Sequence, residues 1–297
     1  PPAPDVLAPI RPVTRNYASE SPMGDAEFAI VKGLYRYDAE ALDARVESTE
    51  EAGTWVKETV SFNAAYGRER VRAYLYLPKA ATPPYQTVVY FPGGDASIIR
   101  SSRDLRLLSV DFIIRSGRAL LYPVYAGTYE RQFVVTGMST FRDVTINRVK
   151  DVLRSVDYLQ TRHDVDQKRL GFYGVSLGAT MGTIATAIDS RFAATVLQGG
   201  GLITQTLPPE IDPFNLAPRI QGPTLLVGGR FDFTNPVETS QKPLFRLIGT
   251  PPDRKRHAIV DGGHLPTNMF DVIKEILDWF DRYLGPVVTG PPVAAPR

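Results

Sequence analysis

Apolar positions along this chain follow two rhythms. In residues 70–77 they alternate, with Val71, Ala73, Leu75 and Leu77 set against Arg72, Tyr74 and Tyr76, which is the two-residue period of a strand. Residues 55–62 carry a matching strand, and Asn63-Ala64-Ala65-Tyr66-Gly67 between them supplies the turn of an antiparallel hairpin. After Pro83-Pro84 the alternation gives way to short apolar runs at 87–91, 119–122, 169–175, 193–197, 224–227 and 257–260. Runs of that length suit strands covered on both faces. Helical spacing fills most of the intervals, notably at 144–161, 236–248 and 268–284. Strands joined by crossover helices imply a parallel sheet wound on both sides. Ahead of the hairpin, residues 25–43 place Phe28, Val31, Leu34, Tyr35 and Leu42 on one stripe and predict a further helix.

The ends of the chain lack this patterning. Residues 1–22 are rich in proline and polar groups and are expected to run over the surface. The organisation predicted is therefore an N-terminal extension, 1–54, packing on the core, one α/β domain at 55–285, and a disordered Pro-rich tail at 286–297. With 297 residues, 43% of them hydrophobic, the chain can bury a large core. A net charge of +2 without long charged runs gives no case for a nucleic-acid partner. Cysteine is absent, which removes disulfides, thiolate nucleophiles and Cys-based zinc sites. It leaves the compartment open, an extracytoplasmic one included. No apolar stretch approaches the ~18 residues of a membrane span, and no signal peptide is visible. The opening Pro1-Pro2-Ala3-Pro4, without an initiator Met, fits a processed product or an excised piece.

The chemistry enters at Gly174-Val175-Ser176-Leu177-Gly178, where an apolar strand runs into the small-residue helix that begins Ala179-Thr180-Met181-Gly182. Gly-x-Ser-x-Gly at a strand-to-helix junction is the nucleophile elbow of the α/β-hydrolases. The turn is so tight that its flanking positions must be nearly free of side chains. A glycine-rich turn that merely contains a serine is the plainer reading, and the strand–turn–helix setting weighs against it. With the elbow, the fold expected is the α/β-hydrolase fold: a mostly parallel, doubly wound sheet with an antiparallel N-terminal hairpin and a short cap. The cap would fall between Gly199 and Gly222, a short segment interrupted by Pro208, Pro209, Pro213 and Pro218.

A serine hydroxyl needs a base, and the chain has 3 histidines. His163 precedes the nucleophile strand, and His257 lies inside a predicted strand. His264 follows the last strand in Asp261-Gly262-Gly263-His264, at the carboxyl ends of the strands where sites gather in open α/β sheets. The orienting acid should lie between serine and histidine in chain order. Asp232, in the loop after the 224–227 strand, is the best placed; Asp253 and Asp261 are its rivals. The developing oxyanion needs backbone donors. Leu177 N–H, directly after the serine, is one. Gly94, in Phe91-Pro92-Gly93-Gly94-Asp95-Ala96, is the other candidate. Asp95 sits beside the site and either repels anionic substrates or turns to solvent. Tyr125 and Tyr129, with Phe133 and Met138, either wall a substrate site or pack in the core.

On these residues the chain resembles the dienelactone-hydrolase and acetylxylan-esterase branch of the α/β-hydrolases. It is most similar to hydrolase modules that follow a kinase domain and membrane segment in some bacterial serine/threonine kinases. The stretches that carry the likeness are 60–67, 84–93 and 121–131, together with the elbow and Asp261-Gly262-Gly263-His264. The resemblance implies a serine esterase with Ser176, Asp232 and His264 as triad, a small-molecule ester as substrate, and no metal or organic cofactor. Asp95 departs from the pattern, which has small uncharged residues there. A short cap argues for small or short-acyl esters. Two other readings remain open: a hydrolase-fold binding or sensory domain without turnover, and a peptidase of the prolyl-oligopeptidase type.

Overall fold

The computed structural model describes residues 15–287 apart from Ala39, Asp104, Arg106 and Thr267. Most of the N-terminal stretch (1–14) and most of the expected tail (288–297) lie outside the described residues. Helix α1, Asp25–Leu34, comes first. It is shorter than the predicted 25–43, because the chain leaves the helix at Tyr35, whose N–H closes the last turn on the Gly33 and Lys32 carbonyls. Val31 and Tyr35 are buried, whereas Leu34 is exposed and Leu42 packs from the irregular segment beyond.

Four strands follow: β1 Arg45–Glu51, β2 Trp55–Asn63, β3 Arg70–Pro78 and β4 Tyr85–Phe91. The short α2, Asp111–Arg115, precedes β5, Ala119–Pro123. Helix α3, Met138–Gln160, leads to β6, Val165–Val175, and α4, Leu177–Ile188, to β7, Ala194–Gln198. Then come α5 Pro213–Leu216, β8 Thr224–Gly229, α6 Lys242–Leu247, β9 Lys255–Val260 and α7 Met269–Leu284. The strands form one 9-stranded sheet in the order β1-β2-β3-β5-β4-β6-β7-β8-β9. Pairings from β1 to β5 are antiparallel and the rest are parallel.

Alternate residues of the central strands feed two cores. In β4, Val89 and Phe91 join the core beneath α1, α3 and α4, while Val88 and Tyr90 join the one beneath α2 and α7. β3 departs from the one-sided pattern its alternation suggests. Tyr74 and Tyr76 are as buried as Val71, Ala73 and Leu75, because β5 pairs with it and both faces are covered. β1 has no counterpart in the sequence prediction. Its residues, Arg-Val-Glu-Ser-Thr-Glu-Glu, are all exposed, and pairing with β2 is what holds it.

The segment where a short cap is expected forms a turn at Pro209–Ile211, then α5, then a turn at Ala217–Arg219. Ile211, Phe214 and Leu216 from it are buried in the α4-side core. The described part of the N-terminal stretch docks there as well. Arg15 bonds Asp212 at 2.8 Å, and Tyr17 stacks on Phe214 with ring centroids 5.7 Å apart. Among the described residues no helix is long and apolar enough to cross a membrane.

Candidate active site

Ser176 links β6 to α4. Its backbone is at φ 54°, ψ −108°, a conformation that a residue with a Cβ adopts only under strain. The neighbours make that turn possible. A Cβ at Gly174 would lie 2.1 Å from the Gly178 carbonyl oxygen, and one at Gly178 would lie 2.1 Å from that of Phe91. No side chain fits at either position, so strand and helix close to backbone contact, and Ser176 is pushed out at the carboxyl end of β6. Its N–H donates to the Gln198 carbonyl at 2.8 Å, which pins the turn to the end of β7.

The loops after β8 and β9 bring the partners. Asp232 Oδ2 accepts from His264 Nδ1–H at 2.9 Å, and the Ser176 hydroxyl donates to His264 Nε2 at 2.8 Å. The carboxylate sets the tautomer, since a bond from Nδ1–H leaves Nε2 as an acceptor. Asp232 is 3% exposed, and its other oxygen, Oδ1, accepts from the N–H groups of Thr234 and Asn235, both at 2.8 Å. The two loops are tied directly: Arg230 N–H donates to Val260 O at 2.8 Å and Phe231 N–H to Gly262 O at 2.9 Å. Asp261 faces Arg230 instead, at 2.8 Å on the surface, and Asp253 lies in the turn before β9. His163 precedes β6, at the far end of that strand from Ser176. His257 bonds Gln241 at 3.0 Å, and burial lowers its pKa.

Leu177 is the first residue of α4, and Gly94 the first of a 3₁₀ turn, Gly94–Ser97. The N–H groups at the start of a helical turn lie ahead of its own hydrogen-bond ladder. The turn at Gly94 is braced from below. Ala96 O accepts from Tyr129 N–H at 2.8 Å, and Ser97 Oγ accepts from the buried Arg148 Nη2 at 3.2 Å. Gly93 approaches the serine: a Cβ there would be 3.9 Å from that of Ser176. Asp95 is exposed.

Tyr125 and Tyr129 are packing residues. Tyr125 is 0% exposed, stacks on Phe91 at 3.8 Å and donates to Tyr90 O at 2.9 Å. Tyr129 is buried with its hydroxyl 2.6 Å from that of Tyr122. The substrate-wall role expected of them does not hold: both rings pack inside, and the loop that carries them bonds back to the Gly94–Ser97 turn through Tyr129 N–H and Ala96 O. Burial pushes both phenols up, so neither offers a second base. The exposed apolar groups near the site are others: Phe231 and Phe233, which flank Asp232, are 71% and 85% exposed, and Leu265, next to His264, is 57% exposed. A cleft of about 470 Å³ lined by Tyr37, Tyr66, Arg68 and Arg154 contains none of the three bonded residues. Among the described residues no cluster of three metal-ligating side chains occurs.

Sequence reasoning passed over Gln198, Gly199 and Asn235, which contact the site. Asn235-Pro236 reads in sequence as the opening of a helix, and nothing local ties it to Gly199.

The fold has solved counterparts. An acetyl xylan esterase from Paenibacillus sp. R4 superposes with a TM-score of 0.68 at 18% identity, covering 87% of this chain and 94% of that one. Acetyl xylan esterase 1 from Thermoanaerobacterium sp. JW/SL YS485 gives 0.70 at 17% identity, covering 91% and 96%. A glucuronoyl esterase from Solibacter usitatus gives 0.61 at 16% identity, covering 85% and 91%. No family model matches the chain, and no curated protein does. Likeness at these identities carries the architecture: this is an α/β-hydrolase fold.

Proposed function

We propose that this protein is a serine hydrolase that cleaves carboxylic esters through an acyl-enzyme on Ser176. The observation that carries the reading is the hydrogen-bonded chain Ser176–His264–Asp232, assembled from the carboxyl ends of β6, β8 and β9. His264 Nε2 takes the hydroxyl proton as Ser176 Oγ attacks the ester carbonyl. The carbonyl oxygen becomes an oxyanion, held by the N–H groups of Leu177 and Gly94. As the tetrahedral intermediate collapses, the C–O bond to the alcohol breaks and the imidazolium returns its proton to the departing alkoxide. Water, deprotonated by the same imidazole, then attacks the acyl-enzyme and frees Ser176. Asp232 stays ionised and stabilises the imidazolium in both halves.

Small or short-acyl esters are the proposed substrates. The segment after β7 buries Ile211, Phe214 and Leu216 against the α4 side of the core, and Phe231, Phe233 and Leu265 leave an apolar rim for the organic part of the ester. The esterases among the structural counterparts support the same class of reaction.

The test is labelling by a fluorophosphonate and turnover of p-nitrophenyl acetate, beside Ser176→Ala. Both signals should be present in the wild type and vanish in the variant. A folded wild type that shows neither would overturn the catalytic reading in favour of a ligand-binding domain.

A further inference from the structure

Three groups form the hydrogen-bonded chain, yet they come from three separate loops, and something must hold those loops in one register. One short turn, Gln198-Gly199 at the end of β7, touches all of them. The Gln198 carbonyl accepts from Ser176 N–H at 2.8 Å. Gly199 lies against the imidazole: a Cβ there would be 3.3 Å from His264 Cε1 and 3.6 Å from Nδ1. Its backbone has φ +62°, a left-handed conformation that glycine adopts without penalty. The Gly199 N–H is anchored on Val227 O at 2.7 Å, and its carbonyl accepts from Asn235 Nδ2 at 2.8 Å.

Asn235 is 8% exposed and every polar group described on it is used. Its own N–H donates to Asp232 Oδ1 at 2.8 Å. Its side-chain oxygen lies 3.1 Å from Ser240 Oγ, whose one proton is shared with Leu202 O at 2.8 Å, and its carbonyl accepts from Gln241 Nε2 at 2.8 Å. One residue thus grips the acid through its backbone and, through its side chain, the turn on which the histidine rests and from which the serine hangs.

We propose that Asn235 is a positioning residue, fixing the distance from Asp232 to His264 and Ser176 by clamping Gly199. It touches no reacting atom. The inference rests on the catalytic reading above. Leucine at 235 keeps the branched shape and the backbone N–H and removes the side-chain donor, so Gly199 O loses its partner while Asp232 keeps its own.

Asn235→Leu, Ser176→Ala and wild type are compared in p-nitrophenyl acetate turnover, in thermal unfolding, and in the low-field proton resonance of the His264 Nδ1–H bond. Asn235→Leu is expected to lower kcat about tenfold, short of the ~100-fold that a 1 Å misplacement costs. KM should stay within about twofold, because the acyl site is untouched, and the low-field resonance should shift or broaden. Should the leucine variant fail to fold, Ser240→Ala, which removes the hydroxyl beside the Asn235 side-chain oxygen and so loosens the amide that grips Gly199, is expected to lower kcat by about threefold with the same spectral change. A folded Asn235→Leu protein with unchanged kcat and an unchanged resonance overturns the proposal. So does a loss of activity that only tracks the unfolded fraction. The resonance reads the clamp without turnover. An inactive wild type whose signal still responds to position 235 therefore overturns the esterase reading and leaves the clamp standing.

Discussion

Replacing Ser176 by glycine should make the protein more stable than replacing it by alanine, the reverse of the usual order. Both variants lose the hydroxyl and its bond to His264, so the comparison cancels that loss and leaves the backbone. At φ 54°, ψ −108° a residue with a Cβ carries about 1–3 kcal/mol of strain. Alanine retains it and glycine does not. Against this, glycine gives the unfolded chain more freedom, worth about 0.4–1 kcal/mol. The difference favours glycine by about 1 kcal/mol, with an upper limit near 2.5 kcal/mol. For a domain of this size that is a shift in Tm of roughly 2–4 °C. The assay is urea unfolding of Ser176→Gly and Ser176→Ala in parallel, with equal slopes required so that midpoints report stability. An alanine variant more stable by about 0.5–1 kcal/mol, as in an unstrained helix or strand, would refute the idea that the turn stores strain.

Other perturbations follow from the same geometry. Arg131 donates to the fully buried Asp151 at 2.6 Å, and Arg131→Met, by removing the bonded guanidinium and leaving only the charge of the nearby Arg148 to face that carboxylate, should cost toward the lower end of about 3–5 kcal/mol. Calorimetry of a double-mutant cycle with Asp151→Asn should show the second change offsetting most of the first, and simple additivity would contradict the coupling. Gly178→Ala drives a Cβ to 2.1 Å from Phe91 O and should lower kcat/KM by about 100-fold or more, because both the serine turn and the Gly94 loop must shift. A near-normal rate would show that the contact yields easily. His257 is held below its ordinary pKa mainly by burial, so the unfolded chain binds the extra proton. Its contribution is full above the unfolded value of about 6.5 and is lost as pH falls below it toward the lowered folded value. His257→Gln should therefore flatten the fall in Tm as pH drops below about 6.5 relative to wild type, and parallel curves would exclude this histidine.

Much of this architecture is legible in the residues because central strands and packed helices announce themselves by period. The runs ending in Phe91, Val175 and Val260 are strands, and Met269–Leu284 is the amphipathic helix its spacing predicts. Legibility fails where stability comes from a partner distant in sequence. β1 is polar throughout and exists through its ladder with β2. The predicted helix at 236–248 begins instead as a π turn, Val237–Gln241, before α6. Pro243 has no N–H to continue a regular ladder there. At the candidate site, Ser176, Asp232 and His264 are found from motif and chain order, and the structure brings them within hydrogen-bond distance. Tyr125 and Tyr129 show the limit. An aromatic residue in a long loop has the same sequence signature whether it faces a ligand or the core, and only the stacking on Phe91 and the pairing with Tyr122 decide.

The exposed β1 closes the antiparallel end of the sheet, and its composition has a consequence for how copies of the chain meet. An edge strand offers unpaired peptide groups to any passing strand. Here the approach is lined by Glu47, Glu50 and Glu51, with Glu50 and Glu51 paired to Lys57 and Lys79 at 2.9 and 3.0 Å. An incoming strand would have to strip water from that charged fringe before its first peptide bond found a partner. Charge along such a border disfavours strand addition between copies, and here it is carried by residues that contribute nothing to the core.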